Sequence, residues 1–280
     1  MKLLCNAKIN LTLNITGKRE DGYHLLDSVM QSVNLADETT VIPSDKITVD
    51  CSNQLFSGER NIAYTAAARF FEYTKISGGA EIYINKNIPD AAGLGGGSAD
   101  AAGVILALNK IYSANLSEEE LLNIALKCGA DVPFCIKGGT KRVSGIGEIL
   151  EDAPPFSNCF IVIAKNGTKP STAEMYKRFD EIDNPKFADN DAFLKSLECE
   201  NTEEALRFAE NSFEAVTGLY GIDEIISSTN PIKVSLSGSG PSVFAVYKDE
   251  ESANSALALL NEKNITAIKT TPANKSVIFE

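Results

Sequence analysis

Apolar and polar residues alternate strictly near the start of the chain. From residue 7 to residue 15 every second position is apolar, and the positions between carry lysine, asparagine or threonine. A period of two is typical of a strand that buries one face. The pattern predicts a strand from which Lys8 and Asn10 project side by side on the opposite face. A solvated surface is the ordinary interpretation for a lysine in that position.

The remaining hydrophobic patterns predict a mixture of strands and helices. Short apolar runs bounded by polar turns predict strands over 28–34, 46–50, 80–87, 160–164, 233–236, 243–247 and 266–270. Apolar residues at helical spacing predict helices over 61–73, 98–112, 171–179, 191–197, 203–220 and 250–261. A Ser-x-x-Glu capping box at 117–120 opens one more helix, which ends near Gly129. This mixture predicts an α+β fold.

Length and composition divide this fold into two parts. The chain has 280 residues. The commonest single domain has ~100–150 residues, so two domains that share a cleft are expected. A change of composition at Asp152-Ala153-Pro154-Pro155 predicts the boundary. The N-terminal domain would then span 1–153, and a C-terminal α+β domain would span 154–280.

The composition also favours a cytoplasmic protein. No stretch approaches the ~20 unbroken apolar residues of a membrane helix, and the N-terminus lacks the apolar core of a secretory signal. Six cysteines are scattered without Cys-x-x-Cys spacing, and one histidine is present to join them. Reduced thiols are therefore expected rather than a zinc site.

The charge of the chain restricts its partners. A formal net charge of −12 argues against nucleic acid, because a surface that binds nucleic acid is basic. A small anionic substrate is compatible with this charge only if a few cations are concentrated at one site. Lys8 on the first strand is one such cation.

The most distinctive stretch of the chain is rich in glycine. Four of the 20 glycines fall within positions 93–97, between the predicted strand 80–87 and the predicted helix 98–112. Glycine tolerates positive φ and close approach of a ligand, and a helix start presents free N–H groups. The stretch lacks the Gly-Lys-Ser/Thr ending of P-loop proteins and the third glycine of the dinucleotide fingerprint. It predicts a site for nucleotide phosphates, with a plain surface turn as the alternative.

A polar turn at 18–24 follows the first strand and holds the only histidine of the chain. A lone histidine is more often structural than catalytic, and this is the preferred interpretation of His24 as a proton carrier. Beside Tyr23, however, His24 suits the recognition of a flat heteroaromatic ring by stacking and hydrogen bonding.

Asp131 stands in an apolar segment, where a solvated carboxylate is unexpected. It could cap a short helix, because the following Val132-Pro133 suits a first helical turn. It could equally lie in a cleft beside Lys8, where a carboxylate could engage a substrate hydroxyl. The two alternatives do not exclude each other.

A second loop of small residues spans 237–242, between two predicted strands. Such a loop could let the backbone approach a ligand closely. A tight hairpin would have the same composition without any function, and the segment alone favours the hairpin.

Three of these segments occur in the order found in the GHMP kinases, the galactokinase, homoserine kinase, mevalonate kinase and phosphomevalonate kinase family. They are Ala7-Lys8-Ile9-Asn10-Leu11, the loop at 93–98 and Ser237-Gly238-Ser239-Gly240-Pro241. The chain resembles this family over nearly its whole length. The segments 21–24, 129–134 and 145–148 point to a branch whose acceptor is a cytidine diphosphate conjugate.

The resemblance implies a two-domain GHMP kinase-like architecture with the active site in the inter-domain cleft. It also implies transfer of a phosphoryl group from ATP, with Mg²⁺, to a hydroxyl of the acceptor. ATP would be held by the glycine loop, which comprises Pro89, Asp90, Ala91, Ala92, Gly93, Leu94, Gly95, Gly96, Gly97, Ser98 and Ala99. Ser98 could approach the metal, and no metal ligand is assigned.

The resemblance also gives roles to residues outside the loop. Lys8 and Asp131 would be the catalytic pair, with Asp131 accepting or orienting the proton of the acceptor hydroxyl and Lys8 neutralising charge. Whether Asp131 is a true base stays open, because a loose transition state makes little demand on one. The acceptor would be bound by Asn10, Tyr23, His24 and Tyr176.

Two other functions are compatible with the same scaffold. One is a GHMP kinase that acts on homoserine or mevalonate, which the Tyr23-His24 pair and the context of Asp131 disfavour. The other is a nucleotide-binding regulator without catalysis, which has no chemical need for both Lys8 and Asp131. The expected partners are small molecules, without nucleic acid or membrane, and the chain is expected to be a monomer or a homodimer.

Overall fold

A computed structural model describes residues 1–280 and contains an eight-stranded and a four-stranded sheet, each accompanied by helices. The strands are β1 Lys2–Lys18, β2 His24–Ser44, β3 Thr48–Cys51, β4 Gly79–Asn85, β5 Thr140–Gly145, β6 Ile149–Asp152, β7 Phe160–Lys165, β8 Lys233–Leu236, β9 Ser242–Tyr247, β10 Thr266–Thr270, β11 Pro272–Ala273 and β12 Val277–Phe279. The helices are α1 Ile62–Thr74, α2 Gly96–Ile111, α3 Glu118–Leu126, α4 Val132–Lys137, α5 Thr172–Phe179, α6 Asn190–Glu198, α7 Thr202–Arg207, α8 Glu214–Thr217, α9 Ile222–Ile226 and α10 Glu250–Glu262. None of these helices is long and apolar enough to cross a membrane. The predicted α+β class is confirmed.

The first sheet is built around a long hairpin of β1 and β2. The two strands pair antiparallel from Lys2 opposite Thr40 to Lys18 opposite His24. β2 runs well beyond the predicted strand 28–34, because β1 pairs with it on one side and β4 and β5 pair with it on the other. The polar turn that contains Tyr23 is therefore the tip of this hairpin.

The end of the chain returns to the first sheet. β11 pairs with β2, and β12 pairs with β1, both antiparallel. The hydrophobic pattern did not predict these strands, which have two and three residues. The division of the chain at residue 153 stays a prediction, while residues 272–279 add strands to the sheet that residues 2–152 form.

The apolar face of β1 links the two sheets. Ala7, Ile9 and Leu11 are fully buried in one core with Ile161 and Phe244 of the second sheet. The second sheet has the order β10-β7-β9-β8 and is antiparallel throughout. Helices α1 to α4 contribute to a separate core over the first sheet, and α10 contributes to a third core against the second sheet.

The opposite face of β1 is buried, so the solvated surface that is ordinary for a strand lysine does not apply here. Lys8, Asn10, Thr12 and Asn14 are each at most 5% exposed. Thr12 donates a hydrogen bond of 2.6 Å to the side chain of Asn190, at the start of α6. Segments distant in sequence therefore cover this polar face, and its side chains form hydrogen bonds with protein groups rather than with water.

The predicted helix 203–220 is wrong as a single element, because α7 and α8 are separated by an irregular segment. Asn211 lies in that segment and donates hydrogen bonds to the carbonyls of Leu236 and Gly238, at 2.7 and 3.0 Å. The backbone N–H of Ser212 donates to the Leu13 carbonyl at 2.8 Å. These tertiary hydrogen bonds replace the helical ones.

Candidate active site

A cleft of about 1320 Å³ is lined by residues of both sheets and their loops. Six lysines line it but only one acidic residue, Asp131; the lysines are Lys8, Lys18, Lys127, Lys165, Lys169 and Lys177. The chain as a whole has a net charge of −12. The cations are therefore concentrated in this cleft, as an anionic small substrate requires.

Lys8 and Asp131 form an ion pair in the lining of the cleft. The Lys8 ammonium lies 3.4 Å from the Asp131 carboxylate and donates a 2.7 Å hydrogen bond to the side-chain oxygen of Asn10. Asn10 in turn donates to the Ser28 hydroxyl at 2.9 Å. The side chain of Lys8 is 4% exposed and that of Asp131 is 39% exposed. The lysine is therefore fixed, whereas the carboxylate is accessible to a ligand.

Asp131 both begins a short helix and lies in the cleft beside Lys8, so the two alternatives hold together. Asp131 is the N-cap of α4, with Pro133 in the first helical turn. Its side chain makes no capping hydrogen bond, so the carboxylate is not used by the helix. Asp131 lines the cleft at the start of α4, where its carboxylate is available for a substrate hydroxyl.

The glycine loop turns sharply into α2, which begins at Gly96 rather than at the predicted Ser98. Gly95 is its N-cap with φ 67° and ψ 20°, a left-handed conformation that favours glycine. A Cβ added at Gly95 would lie 2.9 Å from Cγ of Lys8. The first N–H groups of a helix have no intrahelical partner, so those of Gly96, Gly97 and Ser98 are available to an anion.

The members of the predicted ATP loop differ in their surroundings. Ala91, Gly93 and Ser98 line the cleft. The side chains of Ala92, Leu94 and Ala99 are instead at most 2% exposed and belong to the hydrophobic cores, so they support the loop from below. Pro89, Asp90, Gly96 and Gly97 are partly exposed and lie outside the cleft lining.

A buried charge cluster holds the two ends of the glycine loop. Lys86, at the end of β4, contacts the carboxylate of Asp37 and that of Asp100 on α2, the latter at 2.9 Å. Asp37 also accepts hydrogen bonds from the backbone N–H groups of Asn87 and Ile88, at 2.6 and 2.8 Å. Burial, opposed in part by Lys86, raises the pKa of Asp100 to about 7. The cluster fixes the strand before the loop to the helix after it.

The second small-residue loop is more than a hairpin connection. The Ser237 hydroxyl donates a 3.0 Å hydrogen bond to the Gly93 carbonyl. A Cβ added at Gly93 would lie 2.2 Å from the Ser237 carbonyl oxygen, so the two backbones approach too closely for any side chain. The hairpin interpretation that the segment alone favoured is therefore incomplete, since Gly238, Ser239 and Pro241 also line the cleft.

Aromatic side chains gather at the other end of the cleft. His24 and Tyr176 stack with ring centroids 4.4 Å apart. The His24 ring nitrogen Nε2 lies 2.7 Å from the Asp180 carboxylate, which Lys18 also contacts at 2.6 Å. Tyr23 projects beside them and is 62% exposed. Of the pair proposed for base recognition, His24 is therefore held by neighbouring side chains, whereas the Tyr23 side chain is largely exposed.

Sequence reasoning missed several residues that lie from the end of β7 to the start of α5. Lys165 donates a 2.7 Å hydrogen bond to the Asp90 carbonyl, at the start of the glycine loop. Lys169 contacts the Ser239 hydroxyl, and Thr172 lines the cleft next to it. Two lysines four residues apart are common on exposed loops, so nothing in the local pattern distinguishes these from solvated ones.

Comparisons with known proteins agree with this arrangement. Models of the GHMP kinases N terminal domain and the GHMP kinases C terminal match residues 61–139 and 200–266. A 4-diphosphocytidyl-2-C-methyl-D-erythritol kinase of Clostridium beijerinckii is 41% identical, covering 89% of this chain and 91% of that protein. The protein of the same name in Clostridium perfringens strain 13 is 39% identical, with 94% of each chain covered.

Solved structures show the same relationship. A crystal structure of 4-(cytidine 5'-diphospho)-2C-methyl-D-erythritol kinase superposes with a TM-score of 0.80 and 30% identity, covering 98% of this chain and 99% of that one. A homoserine kinase of Cytophaga hutchinsonii has a TM-score of 0.76 at 19% identity, covering 99% and 96% of the two chains. The second likeness is one of fold alone.

Proposed function

The chain belongs to the GHMP kinase family, and from this premise we propose that it phosphorylates a hydroxyl of 4-diphosphocytidyl-2-C-methyl-D-erythritol. The donor is ATP and the product is the 2-phosphate, an intermediate of the non-mevalonate route to isoprenoid precursors. Relatives that carry the name of this kinase are about 40% identical to the chain over most of their length. The homoserine and mevalonate alternatives have weaker support, because a homoserine kinase and a mevalonate kinase of solved structure are 19% and 17% identical.

One observation carries the proposal: an accessible carboxylate lies beside a buried lysine in the cationic cleft. The Lys8 and Asp131 side chains approach to 3.4 Å within a cleft that the glycine loop borders. Phosphoryl transfer needs a positioned hydroxyl and neutralised phosphate charge more than covalent chemistry. A carboxylate and an ammonium so placed supply both requirements.

In the proposed reaction, Asp131 holds the acceptor hydroxyl and receives its proton as the new O–P bond forms. Lys8 stabilises the charge of the carboxylate and of the phosphoryl oxygens nearby. Asn10 keeps the lysine in place through its 2.7 Å hydrogen bond. The reacting groups are therefore presented by β1 and the start of α4, both of which are largely buried.

The residues at the glycine loop fit the phosphates of ATP. The N–H groups that open α2 have no intrahelical acceptor, and Gly95 leaves no room for a side chain beside Lys8. No group of three or more His, Cys, Asp or Glu side chains is arranged to hold a metal ion. Mg²⁺ usually keeps several waters and is bound through one or two carboxylates together with the phosphates of the substrate. Bound there with the Ser98 hydroxyl nearby, it would neutralise phosphate charge.

The cytidine end of the substrate is assigned to the aromatic end of the cleft. Tyr23 is exposed enough to stack on a base, while His24 is held by Asp180 and stacked on Tyr176. Burial, with a contribution from the charge of Asp131, raises the pKa of Tyr176 to about 12, so its hydroxyl remains a hydrogen-bond donor. The lysines between the two ends suit the diphosphate bridge of the acceptor.

The test is an ADP-release assay with three acceptors offered separately to the purified chain. ATP and Mg²⁺ are supplied with 4-diphosphocytidyl-2-C-methyl-D-erythritol, with homoserine or with mevalonate. The proposal expects turnover with the cytidine conjugate alone. Turnover with homoserine or mevalonate instead, or ADP release that no acceptor stimulates, would contradict it. We expect a monomer or homodimer, which light scattering on the same sample measures.

A further inference from the structure

Lys169 occupies an unusual position in the cleft. It lies between β7 and α5 and its ammonium donates hydrogen bonds to the hydroxyls of Ser239 and Thr172, the second at 3.2 Å. Both partners are neutral, and no carboxylate lies within ion-pair distance. A partly buried ammonium is unfavourable unless an opposite charge compensates its lost hydration.

Three other lysines that line the cleft have partners of a different kind. Lys8 has Asp131, and Lys18 has Asp180. Lys165 is tied to the Asp90 carbonyl of the glycine loop. Lys169 alone among these four has only hydroxyl partners, so it has both hydrogen-bonding capacity and charge left for a ligand.

The contacts of Ser239 place Lys169 between donor and acceptor sites. Its neighbour Gly238 lies against both of them: a Cβ added there would be 3.3 Å from the Gly93 carbonyl oxygen and 3.6 Å from the Asn10 side-chain oxygen. Gly93 belongs to the glycine loop, and Asn10 holds Lys8. Lys169 is therefore anchored where the phosphate loop and the Lys8 site meet.

The electrostatics of Lys169 agree with this location. Burial, and to a lesser extent repulsion from Lys8, lowers the pKa of Lys169 to about 8. The other charged groups that line the cleft are Asp131 and five lysines, namely Lys8, Lys18, Lys127, Lys165 and Lys177. An anion bound between Lys169 and Lys8 would relieve their repulsion and keep both protonated.

We propose that Lys169 is a further catalytic residue, which contacts the phosphoryl group during its transfer from the side opposite Lys8. This inference rests on the proposed kinase function. In the step, the acceptor oxygen forms a bond to phosphorus, and the bond from phosphorus to the bridging oxygen of ADP breaks with its electron pair leaving on ADP. Asp131 receives the hydroxyl proton and later releases it to water. Lys169 stabilises the negative charge on the transferred oxygens throughout.

The test compares Lys169→Met with Lys169→Arg, and uses Lys195→Met as the matched control. Lys195 is an exposed lysine on α6 outside the cleft, so its loss changes net charge equally without touching the site. Removal of one charge-stabilising group from a transition state typically lowers kcat by about 10²–10³-fold, and this is expected for Lys169→Met. The KM for each substrate should change far less than kcat. Lys169→Arg should recover a large part of kcat, and Lys195→Met should match the wild type.

Several outcomes would overturn the inference without touching the proposed function. If the wild type phosphorylates the cytidine conjugate and folded Lys169→Met retains its kcat, Lys169 takes no part in the transfer. If only the KM for the cytidine conjugate rises, the lysine contacts the acceptor diphosphate instead. If Arg restores nothing while both variants melt like the wild type, charge is not the property required. A wild type that phosphorylates no acceptor would refute the kinase proposal itself.

Discussion

Substitution of Gly95 by alanine tests how closely the glycine loop and Lys8 depend on each other. Gly95 has φ 67°, and a non-glycine residue in this region costs about 1–2 kcal/mol. The new Cβ would lie 2.9 Å from Cγ and 3.2 Å from Cε of Lys8. Ordinary carbon contacts lie at about 3.5–4.0 Å, so the lysine has to move by roughly 0.6–1 Å.

Lys8 has little freedom to make that movement harmlessly. Its side chain is 4% exposed, and its ammonium is fixed by Asn10 and Asp131. A misplacement of about 1 Å in a catalytic site can lower the rate by ~10²-fold. We therefore expect Gly95→Ala to lower kcat by about 10–10²-fold, in addition to a loss of about 1–2 kcal/mol in the free energy of unfolding from the backbone strain.

Gly221→Ala separates the two effects. Gly221 is the N-cap of α9 with φ 73°, and a Cβ added there would meet no atom within 4 Å. Urea unfolding should show a similar loss of stability for both variants, while steady-state kinetics should show the loss of kcat for Gly95→Ala alone. Equal kcat values for the two folded variants would refute the argument that Lys8 restricts the glycine loop.

Two further predictions concern the aromatic end of the cleft and the buried charge cluster beside the glycine loop. Tyr23→Ala should weaken binding of the cytidine conjugate about 5- to 150-fold, because a stacked aromatic is worth ~1–3 kcal/mol. ATP binding should stay unchanged. Calorimetry that shows weaker ATP binding and intact acceptor binding would contradict the role of Tyr23 in base recognition. In the buried cluster, the pKa of Asp100 is raised from 3.8 to about 7. The wild type therefore loses stability as the pH rises between these two values, whereas Asp100→Asn lacks that loss. At about 1.4 kcal/mol per pKa unit, the variant should gain about 4 kcal/mol in unfolding free energy relative to the wild type between acid and neutral pH. Urea unfolding with identical pH dependence in both proteins would count against a buried, neutral Asp100.

Local sequence patterns predicted those elements whose own residues determine them. The alternation along β1 and the helical stripe of α1 follow from which residues are apolar, and Asn61 and Ser117 cap α1 and α3 through their own side chains. The helix after the glycine loop begins two residues earlier than predicted. Glycine is a poor helix former, so propensity favours a start at Ser98, whereas the left-handed conformation of Gly95 starts the helix at Gly96.

The sequence patterns were least informative where distant segments determine the structure. The burial of Thr12 depends on Asn190, which covers β1 from far along the chain, and periodicity does not register such a contact. The break between α7 and α8 depends on hydrogen bonds from Asn211 to the loop after β8. Tertiary hydrogen bonds override local propensity in both places.

The candidate site was predictable to the extent that motifs carry it. Lys8, Asp131 and the glycine loop were proposed from residue type, order and family resemblance, and the structure brings them together around one cleft. Lys169 was not identified from the sequence, because the role that we propose for it rests on its contact with Ser239 and not on its neighbours in sequence. The stacking of His24 on Tyr176 was also beyond the sequence, since 152 positions separate the two rings.

The most direct test of the proposed reaction is single-turnover kinetics of Asp131→Asn with the cytidine conjugate, with the product identified by ³¹P NMR. The Asp131 side chain makes no capping hydrogen bond, so asparagine leaves α4 intact and removes only the charge and the proton acceptor. The account predicts that the wild type forms one phosphomonoester for each ADP, and that the variant binds both substrates but transfers the phosphoryl group ~10²–10⁴-fold more slowly. A folded variant that forms the same phosphomonoester at nearly the wild-type rate would contradict it.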